Sequence, residues 1–203
     1  MHKKKFKTFF IIIILMAIIC FVYYKYFKKE EVINTVKVLD SIDKYSYTLD
    51  ERDTKYMKEE YNELKKVLSG NIDYKLYASS IAKLFIIDLF TLNNKINKYD
   101  VGSVEYVYPN SINNFKLNVS NTIYSNIEDA TYNKRKQSLP EVKSVEVNSI
   151  QNTHYTIGEK EFDAFEIELQ WNYVQDLGYD NSGLIKIIKD NDKVYVVEYN
   201  PGE

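Results

Sequence analysis

Asp88 is the residue whose surroundings in the sequence most suggest chemistry. It lies in residues 73–92, DYKLYASSIAKLFIIDLFTL, whose later half is apolar nearly all round at helical spacing. A carboxylate in such a helix either meets a partner or has a raised pKa. Lys83 is five positions away and poorly placed to pair with it. The favoured interpretation is that Asp88 accepts hydrogen bonds from a neighbouring loop and fixes the fold. A functional role is the alternative.

Other residue types that support catalysis or metal binding are scarce. His154 is the sole histidine after residue 2 and has no G-x-S-x-G sequence near it, which predicts a surface or edge-strand residue. Residues 176–183, DLGYDNSG, lack the ligand spacing and closing glutamate of a calcium loop and are predicted to join two strands. No spacing of His, Cys and carboxylates fits zinc. We therefore predict no catalytic, cofactor-binding or metal-binding residue, no cofactor, and a protein that is not an enzyme.

The charge of the chain is divided unevenly along its length. Seven of the 27 basic residues lie in residues 1–29, whereas all 29 acidic residues follow them, so residues 30–203 carry twenty basic groups and a formal charge of −9. A domain this acidic repels phosphate backbones, so nucleic acid is excluded as a partner. Cysteine is absent after Cys20, and the fold must therefore depend on an apolar core instead of disulfides.

Residues 8–24, TFFIIIILMAIICFVYY, form an apolar run flanked on both sides by lysines. A helix of this length reaches about 25 Å, close to the hydrocarbon thickness of a bilayer. A cleaved signal peptide has a shorter core and an A-x-A-like site, and neither is present. Ile18 and Ile19 precede Cys20 where a lipoprotein signal needs small residues. The run is predicted to be an uncleaved transmembrane helix with the lipid bilayer as its partner.

The predicted organisation is a basic cytoplasmic tail over 1–7, the membrane helix over 8–24, a stalk over 25–43 and a domain over 44–203. Lysines flank the membrane helix almost equally, so charge alone does not orient it. A short tail before the helix and a whole domain after it favour a cytoplasmic N-terminus and an extracytoplasmic domain. Within the stalk, apolar residues at helical spacing predict a helix over 28–42, which either folds against the domain or pairs with another copy.

Three helices are predicted in the domain. The first follows a capping cluster at 50–54 and ends at Gly70 in a left-handed conformation. The second is capped by Asp73 and, being apolar nearly all round, is either the buried centre of the domain or a second membrane span; its charged residues favour the former. The third begins near Pro109 and presents one apolar face, formed by Ile112, Phe115, Val119, Ile123 and Ile127.

Alternating residues predict strands over 45–49 and throughout the C-terminal part of the domain. Val104, Tyr106 and Tyr108 fit an edge strand or an extended loop. Beyond Pro140 the pattern indicates antiparallel sheet, opening with valines at 142, 145 and 147. Residues 165–173 alternate most clearly, and 184–188 and 194–199 form a hairpin around Asp190-Asn191-Asp192. The predicted class is α+β, with about three helices packed on a curved antiparallel sheet after the transmembrane helix.

This order of elements, over residues 45–199, resembles the nuclear transport factor 2-like superfamily, which has a cystatin-like α+β fold. The resemblance depends on the central helix around 84–92 and on the three late strands. An anchor followed by such a domain is similar to the inner-membrane assembly components of bacterial type IV secretion and conjugation systems. The superfamily implies a conical cavity between helix and sheet that can hold an acidic residue and tyrosines for proton transfer. Asp88 with Tyr77 or Tyr173 could form that arrangement.

Two functions are therefore expected from the sequence. The first is a non-catalytic, membrane-anchored extracytoplasmic module of a secretion or conjugation apparatus, which assembles with other membrane or envelope proteins or with itself. Its contact surface would be a cavity mouth or the wet face of the clearest strand, formed by Glu166, Glu168, Gln170 and Asn172. The alternative is a domain with a small-ligand-binding or isomerase-like cavity.

Overall fold

The structure, a computed structural model, describes Met16, residues 36–132 and residues 134–202. Apart from Met16, the predicted tail over 1–7 and membrane helix over 8–24 lie outside the described residues, as does the stalk up to residue 35. No helix within the described ranges is long and apolar enough to cross a bilayer. Residues from Val36 onwards belong to one compact unit.

The unit begins with a two-stranded antiparallel hairpin of β1 (Val38–Ile42) and β2 (Tyr47–Asp50). The helix predicted over 28–42 is therefore wrong for its described residues, 36–42, none of which is helical. Ser46 takes a left-handed conformation, with φ of 55°, and turns the chain back so that 38–42 pairs with 47–50. Val38 and Leu39 remain about half exposed, so the apolar spacing that suggested a helix does not correspond to a buried face. Tyr45, predicted in the strand, lies in the 3₁₀ turn between them.

Two helices follow with the predicted caps. The side chain of Thr54 accepts a hydrogen bond from the Met57 amide at the start of α1 (Lys55–Leu68), and Asp73 caps α2 (Tyr74–Phe90). The left-handed conformation predicted for Gly70 is wrong. Ser69 ends α1 in a right-handed conformation, and its amide donates to the Lys66 carbonyl oxygen, so no left-handed residue is needed.

Helix α2 is the centre of the core, as one of the two sequence interpretations requires. It packs against α1 on one side and against all four strands of the main sheet on the other. Ten of its 17 residues are buried, and they are distributed around its circumference, which explains the absence of a polar face. Lys83 reaches the Glu60 carboxylate of α1 at 3.3 Å, so its charge does not enter the apolar centre.

The connection from α2 to the sheet is irregular. Two 3₁₀ turns, Val104–Tyr106 and Pro109–Ser111, lead into α3 (Ile112–Asn121). An edge strand and an extended loop were the two predicted forms of residues 104–108, and the loop is the closer description. Val107 makes one isolated parallel bridge to Val196, but residues 104–108 form no strand. Helix α3 ends before Ile123 and Ile127, so the predicted apolar face is too long. The hydroxyl of Thr122 donates to a carbonyl oxygen four residues earlier as the chain leaves the helix.

The main sheet is an antiparallel meander in the order β3-β4-β5-β6. Its strands are β3 (Val142–Ile157), β4 (Lys160–Tyr173), β5 (Ser182–Asp190) and β6 (Lys193–Pro201). The predicted strands lie within these limits, and the hairpin around residue 191 is confirmed. Register shifts in β3 and β6 add the twist that curves a sheet. The α+β class, with three helices on a curved antiparallel sheet, is confirmed.

The sheet has two unlike faces. Its inner face packs on α2 through the odd-numbered residues of β4, including Ile167 and Trp171. Its outer face carries polar residues: Glu168, Gln170 and Asn172 are exposed, and Glu166 is partly so. At the start of β4 the outer face is apolar, and Phe162 and Ala164 form a small second cluster with Ile188 of β5. Tyr108 closes this cluster, with its ring 6.1 Å from that of Phe162.

Candidate functional site

A polar cleft of about 470 Å³ lies where β2, the start of α1, the end of α2 and the 93–108 connection meet. We call it the polar cleft. Its wall is unusually rich in charge for so small a space. The charged lining residues are Asp50, Arg52, Asp53, Asp88, Lys95, Asp100, Glu105 and Lys193. Because ionised groups are costly to bury, the position of each partner determines what this cleft can do.

Asp88 stands at the inner wall of the cleft and is held by the loop that follows α2. Its Oδ1 lies 2.5 Å from the Lys95 ammonium, and its Oδ2 accepts a hydrogen bond from the Ser103 amide. Lys95 is only 6% exposed; burial opposes its charge, but attraction to Asp88 outweighs this effect and raises the pKa of Lys95. Ser103 in turn donates its hydroxyl to the Phe85 carbonyl oxygen at 2.7 Å. Asp88 therefore holds the 93–108 connection, through Lys95 and Ser103, against α2.

The tyrosines expected near Asp88 have other partners. The Tyr77 hydroxyl lies 2.7 Å from the Tyr47 hydroxyl, and Tyr173 donates to the Asp180 carbonyl oxygen at 2.5 Å. The expected pairing of Asp88 with either tyrosine is therefore wrong. The loop residue Lys95 satisfies the carboxylate instead, which matches the favoured interpretation that Asp88 is bound by a neighbouring loop.

A second ion pair ties the end of β2 to the same loop. Nη1 of Arg52 lies 2.5 Å from Oδ2 of Asp100 and donates to the Asn94 carbonyl oxygen. Burial alone would raise the pKa of Asp100, but the hydrogen bonds from Arg52 and from the Ile96 amide hold it below its ordinary value. These bonds hold Arg52, just after β2, against the loop that follows α2, although the two segments are distant in sequence.

Two carboxylates in the cleft have no Lys or Arg within ion-pair distance in the described ranges. Glu105 accepts hydrogen bonds from the amide and hydroxyl of Thr48, and burial raises the pKa of Glu105 to about 7. Asp53 accepts one from the Asp50 amide, and burial raises the pKa of Asp53 to about 6. Both groups therefore exchange protons near neutral pH. Neither residue was predicted as functional; an acidic residue between Val104 and Tyr106 was the available signal for Glu105.

The cleft also holds polar atoms that lack a hydrogen bond. The Tyr106 hydroxyl and Nε of Arg52 are buried and have no partner of ordinary geometry in the described part of the chain. The Glu105 carboxylate is close enough to act on Tyr106 electrostatically, but burial is the main reason that the pKa of Tyr106 is raised. Neither atom is accessible to solvent, so a small polar molecule in the cleft would reach them only if the surrounding wall moved.

The space between α2 and the sheet, where the resemblance implies a conical cavity, is occupied by aromatic rings along the second half of the helix. Phe90 lies 5.1 Å from Trp171 and 5.9 Å from Tyr199, measured between ring centroids, and Phe85 lies 6.4 Å from Tyr199. Such contacts are typical of a packed core. The polar cleft therefore lies beside the helix–sheet core.

The other candidates from the sequence lie away from the cleft. His154 is about two-thirds exposed on β3, an edge strand, as predicted, and its Nδ1 lies 3.5 Å from the Glu161 carboxylate. Residues 176–181 lie in the connection from β4 to β5, as predicted, whereas 182 and 183 already belong to β5; Gly178 in the connection takes a φ of 75°. Among the described residues no group of three His, Cys, Asp or Glu side chains could hold a metal ion.

Comparisons of the chain with protein-family models, with curated proteins and with solved structures gave no match. The site is therefore interpreted from its own geometry. That geometry is an α+β domain with one packed and one open sheet face, and with a polar cleft whose central carboxylate, Asp88, is already engaged.

Proposed function

We propose that this chain is a single-pass, membrane-anchored protein-interaction module without catalytic activity. Residues 8–24 form the anchor, the N-terminus is cytoplasmic, and the α+β domain lies outside the cytoplasm. Its partners are other membrane or envelope proteins, and an assembly role in a bacterial secretion or conjugation apparatus is consistent with the resemblance to nuclear transport factor 2-like domains. The length of the apolar run, which is close to the hydrocarbon thickness of a bilayer, and the lysines that flank it support the anchor.

The observation that carries this proposal is the open outer face of the main sheet. No helix of the described ranges covers the stretch from Glu166 to Asn172, although α2 packs on the opposite face and contacts all four strands. Lys186 crosses this face between Glu166 and Glu198, at 3.9 and 3.3 Å, so the surface is patterned with both charges. A surface with both charges selects partners by electrostatic complementarity.

The state of Asp88 supports the non-catalytic part of the proposal. A general base must be able to reach a substrate proton. Asp88 instead contacts an ammonium group and a backbone amide, and both contacts stabilise the fold. Using it for proton transfer would first require breaking a buried ion pair, which costs several kcal/mol.

Site-specific photocrosslinking in the cells that carry the gene tests the contact surface. The full chain receives p-benzoylphenylalanine at position 168 or 170 on the outer face, or at position 59 on α1 as the matched exposed control. We expect crosslinks to envelope proteins from 168 and 170, and we expect a Lys186→Glu substitution to reduce them. Equal crosslinking from all three positions, or none from the outer face, would refute the proposed surface.

A second candidate function, small-ligand binding, rests on the volume and the charged lining of the polar cleft. The Tyr106 hydroxyl and Nε of Arg52, buried in its wall, would gain hydrogen bonds if a small polar molecule displaced the groups that cover them. Native mass spectrometry of the intact protein released from its membrane measures this directly. A bound small molecule that is lost in Tyr106→Phe supports the candidate. Spectra in which each protein shows only the mass of its own polypeptide, with nothing bound, exclude it.

A further inference from the structure

The outer edge of β3 is open over residues 149–157, which we call the β3 edge. β3 is the first strand in the sheet order and pairs only with β4. In an antiparallel strand every second residue directs its N–H and C=O away from the paired neighbour. None of these groups over 149–157 has a backbone partner in the described ranges. By contrast, the start of β3 is covered, since the Val145 amide donates to the Tyr56 hydroxyl at 2.9 Å.

The β3 edge lacks the devices that usually keep a strand from pairing with another chain. Natural edges carry lysine, proline, other charges or bulges. Residues 149–157, SIQNTHYTI, contain no Lys, Arg, Asp, Glu or Pro, and the register shift between Val147 and Ser149 lies before them. The opposite edge is different, because β6 carries Lys193, Glu198 and a bridge from Val107. The β3 edge is therefore the part of this sheet best suited to accept a further strand.

A pocket of about 420 Å³ opens beside the β3 edge. Phe165 and Tyr74 line this pocket. The Lys189 ammonium, which also lines it, lies 3.7 Å from the centroid of the Tyr74 ring. His154 and Asp163 stand at its wall, and Asp163 is four-fifths exposed. When a peptide adds to a sheet edge, backbone bonds supply affinity and adjacent pockets select alternate side chains.

The charge around the β3 edge indicates the chemistry of the partner. Residues 149–168 carry five carboxylates and one lysine, Lys160, which is already paired with Asp190 at 3.1 Å. A second copy of this chain would bring the same carboxylates and be repelled, whereas lysine or arginine side chains on an added strand would be attracted. This argument selects a basic, extended segment of a different protein.

We propose that the β3 edge binds an extended, Lys- or Arg-bearing segment of a partner protein as a fifth strand of the main sheet. One basic side chain of that segment faces the exposed carboxylates of Asp163 and Glu161. The inference rests on the proposed function, since both make the domain a binding module, but it uses the edge of the sheet and not its outer face.

Amide hydrogen exchange of the full chain in lipid nanodiscs tests this inference. The probe is an end-blocked peptide of about seven residues, the length of a β-strand, in which lysine and valine alternate. The control peptide has glutamate in place of lysine. We expect slower exchange over 149–157 with the lysine peptide, and about tenfold weaker binding of the glutamate peptide, since several exposed charge contacts change sign. No protection with either peptide would overturn the proposal, as would equal protection with both.

Two adjacent proline variants make the test independent of folding. The amides of Asn152 and Thr153 point in opposite directions, one toward β4 and one outward. Of Asn152→Pro and Thr153→Pro, the outward one should keep the melting temperature and lose peptide protection, because proline is tolerated at a free edge. Asp163→Asn, a change at an exposed side chain, should weaken lysine-peptide binding several-fold and leave stability unchanged. Full binding by both the outward proline variant and Asp163→Asn would refute the proposal.

The outcomes separate this inference from the proposed function. Outer-face crosslinks together with a failed peptide test overturn the β3 edge alone. Protection of residues 149–157 by the lysine peptide, without crosslinks from the outer face, supports binding at the β3 edge. The contact surface of the proposed function would then be the β3 edge and not the outer face. Protection of 149–157 that appears without peptide and grows with protein concentration identifies a second copy as the occupant, which overturns the assignment to a basic partner.

Discussion

Replacing Lys95 by methionine tests whether the Asp88–Lys95 pair holds the connection between α2 and the sheet. Methionine keeps most of the apolar volume of the lysine side chain but removes the ammonium group that lies 2.5 Å from Oδ1 of Asp88. The Lys95 carbonyl oxygen still accepts a hydrogen bond from Arg135 at 2.7 Å, so the local backbone keeps a tether. The substitution therefore isolates the charge.

The expected loss follows from the burial of the pair. Lys95 is 6% exposed, and the Asp88 side chain is 18% exposed, so removing the cation leaves a nearly buried carboxylate with the Ser103 amide as its remaining described donor. Breaking a buried pair on one side costs about 3 kcal/mol or more. For a domain of this size that is a decrease of about 6–12 °C in melting temperature.

The assay is thermal and urea unfolding of the full chain in nanodiscs, followed by tryptophan fluorescence from Trp171. Lys44→Met is the matched control, because Lys44 pairs with Asp192 at 3.1 Å while both side chains are more than 60% exposed. Because water screens it, that pair should contribute little to stability. Adding Asp88→Asn to Lys95→Met should restore part of the lost stability. A Lys95→Met effect no larger than that of Lys44→Met would refute the role of the pair.

Three further predictions concern other parts of the chain. Burial raises the pKa of Glu105 to about 7, so the folded state binds more protons than the unfolded state between about pH 4.5 and 7. The stability of the domain should therefore fall as pH rises through this window. Glu105→Gln should flatten this pH dependence, as measured by melting curves at several pH values. Phe90→Ala should lower the unfolding free energy by about 3–5 kcal/mol in urea titrations, since its ring is buried against Trp171. In a Cys20→Ser background, Glu59→Cys should react with a membrane-impermeant maleimide in intact cells, and labelling only after permeabilisation would contradict the proposed orientation.

Much of the local structure could be predicted because short-range patterns determine it. The Asp73 side chain caps α2 within three residues of itself, and the alternation over 165–173 follows from a strand with one buried and one wet face. The central position of α2 followed from its lack of a polar face. Each of these inferences uses neighbours in sequence, where spacing and geometry are directly linked.

The features that could not be predicted depend on contacts between distant segments. Residues 38–42 have helical spacing, but pairing with 47–50 places them in a strand. The partner of Asp88 is Lys95, which lies in a loop whose path is fixed by Arg52, 43 positions earlier in the chain. The pKa of Glu105 is raised because the cleft wall buries its carboxylate, and this effect outweighs the hydrogen bonds from Thr48, which lower the pKa. Nothing in the spacing of the sequence brings these groups together.

The acidic surplus of the domain serves two different purposes in this structure. In the polar cleft, Asp88 and Asp100 are partly buried beside Lys95 and Arg52, where salt screens them less than it screens exposed charges, so these charges act mainly on stability. At the β3–β4 hairpin the carboxylates outnumber the single lysine and are largely exposed, so they act on the approach of a partner. Raising the salt concentration should therefore release a lysine peptide from the β3 edge while it changes the unfolding free energy little. If salt weakened folding and peptide binding in parallel, the two groups of charges would not be functionally separate.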